Sequence, residues 1–431
     1  MQLHIRNGLV VDPARGSAFQ SDVFIADARV LAIGAQPEGF VARRVIDATG
    51  LVVAPGLVDL AARLREPGFE HKATLESEMI AALAGGVTSL VCPPDTEPPL
   101  DEPGLVEMLK FRAQSLNYAR VHPLGALTIG LAGETLTEMV ELSEAGCVGF
   151  SQADVPIADT SVLVRALQYA RTHDFAVWLR PIDAWLGRGG VAHAGAVATR
   201  LGLSSVPVMA ETVALHTIFE AVRASGARVH LCRLSSAAGL ELVRAAKREG
   251  LPISCDVGAH HVHLTDVDIG YFDSNCRLDP PLRSQRDRTA IRAALIDGTI
   301  DAICSDHTPV DDDEKQLPFG EATPGATGLE LLLSLTLKWG KEANLPLPAV
   351  LAKITSAAAA VLGQPCGEIG VGSAADLCLF HPDEHWRVSA QTLKSQGHNT
   401  PFLGYELPGC VRMTIVSGLV AFEAGGAVRA G

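Results

Sequence analysis

Between residues 55 and 306 the sequence repeats one rhythm, a short apolar run followed by a helix-length segment. The runs are GLVDL (56–60), TSLVC (88–92), VHPLGAL (121–127), CVGF (147–150), FAVWL (175–179), RVHLC (228–232), PISCDV (252–257) and DAICSD (301–306). The segments between them include ESEMIAALAGG, PGLVEMLKFRAQ, DTSVLVRALQYARTH, ETVALHTIFEAVRASG and SAAGLELVRAAKREG. Several close on glycine, which suits a helix C-cap because it enters the left-handed region at little cost. Eight strands alternating with helices predict an α/β fold, a (β/α)8 barrel. A doubly wound sheet is the alternative, since periodicity does not report closure. Two further helices are expected near 328–339 and 348–361.

Residues 2–54 and 366–431 break this rhythm. Both are short strand-like runs between Gly, Asn and Asp turns, with LHIRNGLVVDP at one end and GSAADLCLF, HWRVS and VRMTIVSGLVAFEAG at the other. Neither piece alone makes a good core. The expected solution is a composite β-sandwich, with residues 1–54 and 366–431 pairing beside a barrel of residues 55–365. A length of 431 residues fits one large and one small domain.

Composition narrows the function. Only 19% of residues are charged and 48% are hydrophobic, which argues against long disorder. The net charge of -14 argues against a nucleic-acid partner. Nine cysteines without a C-x-x-C pair suggest buried free thiols in a reducing compartment. No apolar run reaches the ~18–20 residues of a membrane span, and the N-terminus reads as no signal peptide. A cytoplasmic protein, with no membrane partner, is expected.

In such a barrel, chemistry sits at the C-terminal strand ends. The first run leads into Asp59, Ala61, Ala62, Arg63 and Arg65, and the second into CPPDTEPP with Asp95 and Glu97. The fourth ends in Ser151, Gln152, Ala153 and Asp154, the fifth in Arg180 and Asp183, and the sixth in Arg233 and Ser235. The seventh leads to His260, His261 and His263, and the eighth to Ser305, Asp306, His307 and Thr308. The histidines with Asp306 and His307 are sound zinc ligands in type. A metal site also needs ligands from several strands, and the early strands offer arginines. The plainer expectation is one or two packed histidines and the rest exposed. The arginines have two readings. Arg63, Arg65, Arg180 and Arg233 converge to bind a carboxylate or phosphate, or they pair with Asp59, Asp95, Asp183 and Asp306 and fill the site. The second is favoured, because buried like charges need partners.

The stretches GLVDL, LREPGFEHKATLESE, GGVTSLVCPPDTEPP, RLGLSSVPVMAE, NCRLDPPLRSQRDR, DGTIDAICSDHTP and EKQLPFGEATPGATGLE together resemble dihydroorotases of the cyclic amidohydrolase superfamily. The resemblance runs from about residue 5 to residue 427. It implies a barrel with a composite sandwich, and a zinc site whose activated water opens the dihydroorotate ring. In that family the first strand ends Asp-x-His-x-His-x-Arg. Here the histidine positions are Ala61 and Arg63. The expected strand-4 aspartate falls at Gln152 or Ala153, and the next two histidines fall at Arg180 and Arg233. Only Asp306 keeps its type. Of the substrate-side positions, Arg65 and Asn275 persist, while Asp95 replaces an asparagine.

Alanine has no lone pair, and arginine stays protonated without an acceptor. With no ion held, bound water keeps a pKa near that of bulk water. The expectation is a pseudoenzyme with no cofactor, no metal and no dihydroorotase turnover. Ala61, Arg63, Arg180 and Arg233 resemble the inactive dihydroorotase homologues of some bacteria. That likeness implies a complex with the catalytic chain of aspartate carbamoyltransferase, six copies of each, in pyrimidine synthesis. An isologous self-dimer is also implied. The alternatives are a regulatory protein binding an anionic metabolite at Arg65, and a metal-independent cyclic amidohydrolase using Asp306 and His307. The acidic run DDDEK (311–315) is expected to be a solvated loop.

Overall fold

The alternation of apolar runs and helices closes into a barrel. The computed structural model describes residues 2–116 and 118–426, so residues 427–431 of the C-terminal segment lie outside the described residues. All eight apolar runs form strands: β1 (Leu57–Asp59), β2 (Val87–Cys92), β3 (Arg120–Ala126), β4 (Gly149–Ser151), β5 (Ala176–Leu179), β6 (Arg228–Leu231), β7 (Ile253–Gly258) and β8 (Ala302–Cys304). They lie parallel, each beside its neighbour in the chain.

Side chains on a strand alternate between its faces, and two apolar clusters divide accordingly. Val58, Val91, Leu124, Trp178, Ala302 and Cys304 pack in one. Their chain neighbours Leu57, Leu90, Val177 and Ile303 join the other, which includes the helices. Apolar residues on both faces explain why the runs show no polar alternation.

The helices follow their local signals. Helix Ala237–Glu249 starts at Ser236, whose hydroxyl accepts the Gly239 N–H at 3.0 Å, and ends at Gly250 with φ +89°. Its Leu240, Val243 and Ala246 are buried at helical spacing. Two expectations need correction. The helix expected near 328–339 is Leu332–Glu342 after a short 3-10 turn. The one expected near 348–361 is two helices, Leu347–Ala352 and Ser356–Leu362, broken at Thr355 with φ -136° and ψ -100°.

The terminal segments share one eight-stranded sheet. Strand Val52–Pro55 pairs with Leu3–Asp12 on one side and with Leu377–Arg387 on the other. Leu3, Ile5, Val23 and Ile25 from the first segment share a core with Leu377, Leu379, Ile415 and Val420 from the second. The sheet therefore curls over a core that neither segment builds alone. Arg120 at the foot of β3 ion-pairs with Asp376 and donates to Ser417 Oγ at 2.7 Å, tying barrel to sheet.

Closure of the barrel rests on the β1–β8 seam. Ala62 bridges His307 in parallel, with His307 N–H on Ala61 O at 3.0 Å and Arg63 N–H on His307 O at 2.9 Å. Beneath these bonds the fully buried Asp59 carboxylate accepts the Ser305 N–H at 2.7 Å and the Ser305 hydroxyl. Burial pushes Asp59 up to about 6 from 3.8, with the Ser305 donors pulling the other way. A raised folded-state pKa favours the fold in the protonated form. That contribution is complete below the unfolded value of 3.8 and is lost as pH rises through about 6. The Ser305 bonds serve the charged form. Ser305→Ala should therefore cost about 1–3 kcal/mol, and more at about pH 8 than at about pH 5. Urea unfolding at both pH values measures the difference, and equal losses would contradict this role.

Candidate functional site

The strand ends deliver charged side chains to one place. Arg63 follows β1 and is 7% exposed, yet its guanidinium is fully engaged. Its Nε donates to Asp95 Oδ2 at 2.7 Å, Nη2 to Asp154 Oδ2 at 2.6 Å and Nη1 to Thr308 Oγ1 at 3.0 Å. Arg180, after β5, clasps Asp279 with both terminal nitrogens, Nη1 at 2.6 Å, and lies 3.5 Å from Asp154. Arg233, after β6, binds Asp154 and reaches Asp306 Oδ1 at 3.0 Å. Asp154 is thus shared by all three guanidiniums.

The charges balance closely. Three arginines meet four carboxylates, Asp95, Asp154, Asp279 and Asp306. Two unit charges ~4 Å apart interact by about 4 kcal/mol at the effective dielectric of such sites. Interleaving opposite signs is what lets three cations converge. Burial opposes the charge on Asp154, but Arg233, Arg63 and Arg180 outweigh it and hold the carboxyl well below its usual range. Burial likewise opposes the charge on Arg63, yet Asp95 and Asp154 keep it above its ordinary value. For Asp306 burial prevails and raises it, against Arg233 and Arg63.

The other expected positions divide. Ala61 lies on the seam, its carbonyl accepting from His307. Gln152 is buried, accepting from Thr128 Oγ1 at 3.0 Å and donating to Leu131 O at 2.8 Å. Ala153 sits beside it at φ +50°. Arg233, Asp306 and Arg65 are also left-handed, at φ +55°, +50° and +61°. Such backbone costs energy in non-glycine residues and gathers at working sites. Asn275 stands in a short turn where its N–H donates to Asp273. Its side chain makes no hydrogen bond to the cluster among the described residues.

Several partners differ from expectation. Asp59 serves the seam, and Asp183 accepts the N–H groups of Trp185 and Leu186. Their expected places beside the arginines are taken by Asp154 and Asp279. Asp154 was legible as a strand-end carboxylate, whereas Asp279 carried no signal beyond its motif. His260, His261 and His263 are all buried, so none is exposed as expected. Burial lowers them to about 3, 4 and 4. His261 Nε2 and His263 Nε2 face the carbonyls of Pro280 and Leu335 at 3.1 and 2.9 Å. His307 has both nitrogens occupied, Nε2 by Glu78 at 2.5 Å and Nδ1 by the Gly328 N–H at 3.0 Å. The acidic run is also corrected. Residues Asp312–Gln316 form a short helix, with Lys315 buried on the carbonyls of Ser274 and Arg277 and Glu314 paired to Lys72.

The loop after β1 keeps its motif for structural ends. Glu66 accepts the Leu75 N–H at 2.8 Å at the start of helix Leu75–Ala84 and pairs with Arg112. Gly68, at φ +96°, leaves no room for a Cβ beside Glu97. Arg65 differs from the other mouth arginines. Its Nε donates to Pro309 O at 2.8 Å, and it has no carboxylate within ion-pair distance among the described residues. Burial, then Arg63, lowers it to about 10.

A divalent ion does not fit this donor set. Guanidiniums offer no lone pair, and the carboxylates among them, Asp95, Asp154, Asp279 and Asp306, are committed to those arginines. Among the described residues no group of three His, Cys, Asp or Glu could hold a metal.

Barrel, curled sheet and strand-end mouth define an amidohydrolase-type architecture. Its likeness extends to the L-hydantoinase (dihydropyrimidinase) of Arthrobacter aurescens, with a TM-score of 0.89 over 99% of this chain and 97% of that one, at 23% identity. The family model described as Dihydro-orotase-like matches residues 50–238. A "Dihydroorotase-like protein" of Pseudomonas aeruginosa is 44% identical over 423 residues, 98% of this chain and all of that protein. A "Dihydroorotase" of Geobacter sp. (strain M21) is 39% identical over 428 residues, 99% of this chain and all of that one. The chain belongs to the dihydroorotase-like family of the amidohydrolase superfamily.

Removing one member of a buried ion cluster strands the others. Arg233→Ala should cost about 3–5 kcal/mol of unfolding free energy, whereas Arg233→Met with Asp154→Leu should cost less than the two single changes summed. A double-mutant cycle by urea unfolding gives the coupling, and additive losses would deny the pair its role.

Proposed function

We propose that this chain is a non-catalytic dihydroorotase-like subunit that assembles with the catalytic chain of aspartate carbamoyltransferase in de novo pyrimidine biosynthesis. One observation carries the non-catalytic part. The positions where the family places histidine ligands hold Ala61, Arg63, Arg180 and Arg233, and the three arginines are locked into ion pairs with Asp95, Asp154, Asp279 and Asp306. A cation bound there must take carboxylates from their guanidiniums and leave buried arginines unpaired, a costly exchange. The partner and its stoichiometry, six copies of each chain, rest on the resemblance to inactive homologues. An assembly subunit needs its fold and surface and has no use for ligands.

An acid–base hydrolase built on Asp306 and His307 is disfavoured, because His307 is held between Glu78 and Gly328. Binding of an anionic metabolite has one observation in its favour, the unpaired guanidinium of Arg65. Titration calorimetry with dihydroorotate and carbamoyl aspartate decides it, flat heats excluding both ligands.

The purified chain, supplied with zinc, should bind it substoichiometrically and should not turn over dihydroorotate. Zinc analysis and a ring-opening assay check this. Purification of the tagged chain from its own cells should yield aspartate carbamoyltransferase activity in the same fractions, at equal stoichiometry and the mass of a dodecamer. Elution alone without that activity would overturn the assembly role, and zinc-dependent turnover would overturn the pseudoenzyme.

A further inference from the structure

A second cluster of cations lies at the opposite end of the barrel. Here the foot of β3, helix Pro103–Leu116 and the turn at Gly146 meet the composite sheet around Val416 and Ser417. They line an open cavity of about 750 Å³. Lys110, Arg120 and His122 line it, with Tyr118 buried at its wall. We propose that this cavity binds a phosphate monoester through Lys110 and His122, with Arg120 at its edge.

The argument begins with unspent donors. Lys110 Nζ reaches only Ala145 O, at a long 3.4 Å. An ammonium has three donors, so others remain available. Gly146 makes room for it there. A Cβ at this left-handed residue, φ +112°, would collide with Lys110 Nζ. Neither nitrogen of His122 has a hydrogen-bond partner among the described residues, and Nε2 is fully buried. Buried polar groups are normally paired, so an orphan nitrogen on a residue that lines the cavity wants an explanation. Arg120 spends Nη1 on Asp376 and Nη2 on Ser417, and its Nε has no partner among the described residues.

The charges select an anion. Among the described residues Asp376 is the one carboxylate paired into the group, and Arg120 neutralises it. Lys110 therefore leaves this wall of the cavity net positive. Burial, Arg120 and Lys110 hold His122 down at about 4, so it offers a neutral imidazole rather than a second cation. Donors of three kinds suit a tetrahedral group with several oxygens better than a planar carboxylate. The volume exceeds inorganic phosphate and leaves room for a sugar-sized remainder.

Titration calorimetry on the full chain tests this with inorganic phosphate and ribose 5-phosphate as probes. Both should bind, and Lys110→Met and His122→Gln should each weaken binding about 10-fold or more. The melting temperatures of the variants show whether they remain folded. Arg65→Met serves as the control for anion capture at the mouth, and should leave binding unchanged. Absence of heat with both probes would overturn the site. So would binding that survives both cavity substitutions in folded protein, or that is lost in Arg65→Met alone.

Discussion

The carboxylate of Asp154, shared by Arg63, Arg180 and Arg233, organises the mouth of the barrel. Without it three buried guanidiniums repel one another. With it, and with Asp95, Asp279 and Asp306, the loops after β1, β2, β4, β5, β6, β7 and β8 join one ionic network. The loop after β3 is fastened separately, by Thr128 on Gln152. A metal ion would draw the same loops inward by ligation. Here charge pairing holds them, so the mouth keeps its shape without needing an ion. The network is no source of net stability, since desolvation largely cancels the attraction between buried ions. Its effect is specificity of arrangement, because each member has one set of partners that satisfies it.

Other polar groups of the mouth have become internal struts. Glu78 accepts from His307 and from Ser395 Oγ, at 2.5 and 2.6 Å, and so links the seam to the segment before the last strands. Asp59 and Ser305 close the barrel below it. These contacts give the stretch Ser305-Asp306-His307-Thr308 a structural role at the seam. Each residue has a packing or hydrogen-bonding task apart from chemistry. The same holds for the loop at Arg65–Gly68, where Glu66 caps a helix and Gly68 admits Glu97.

The barrel was legible in the sequence because its signal is local and repeated. Eight runs of apolar residues alternating with helices, several of them capped by their own side chains, leave few architectures open. The strand-end placement of Ala61, Arg63, Arg180 and Arg233 was legible too, since each follows directly on an apolar run. Pairing was less so. Asp279 lies 99 residues from Arg180, and Asp154 lies 79 from Arg233. Barrel closure and loop course decide such contacts, and neither leaves a mark in local sequence. The histidines were misjudged for a related reason. A helix of five residues, Ala259–His263, is too short to display an apolar face, so nothing announced that all three are buried. Lys315 was hidden inside an acidic run whose composition reads as solvated, though backbone carbonyls from another loop await it.

Electrostatic closure of the mouth also bounds what it can still bind. The four paired carboxylates outnumber the three paired arginines, and Arg65 supplies the fourth positive charge. The group as a whole is then neutral. An anion arriving at Arg65 meets one free guanidinium and, behind it, the field of Asp95 and Asp154, which act on Arg65 in the opposite sense to Arg63. Any binding there must draw on one charge-assisted contact, worth about 1.5–3 kcal/mol, rather than on converging cations. The foot of the barrel presents the contrary balance, with Lys110 unneutralised over an open cavity. The mouth spends three of its four strand-end arginines on carboxylates, whereas Lys110 at the foot has no carboxylate partner among the described residues.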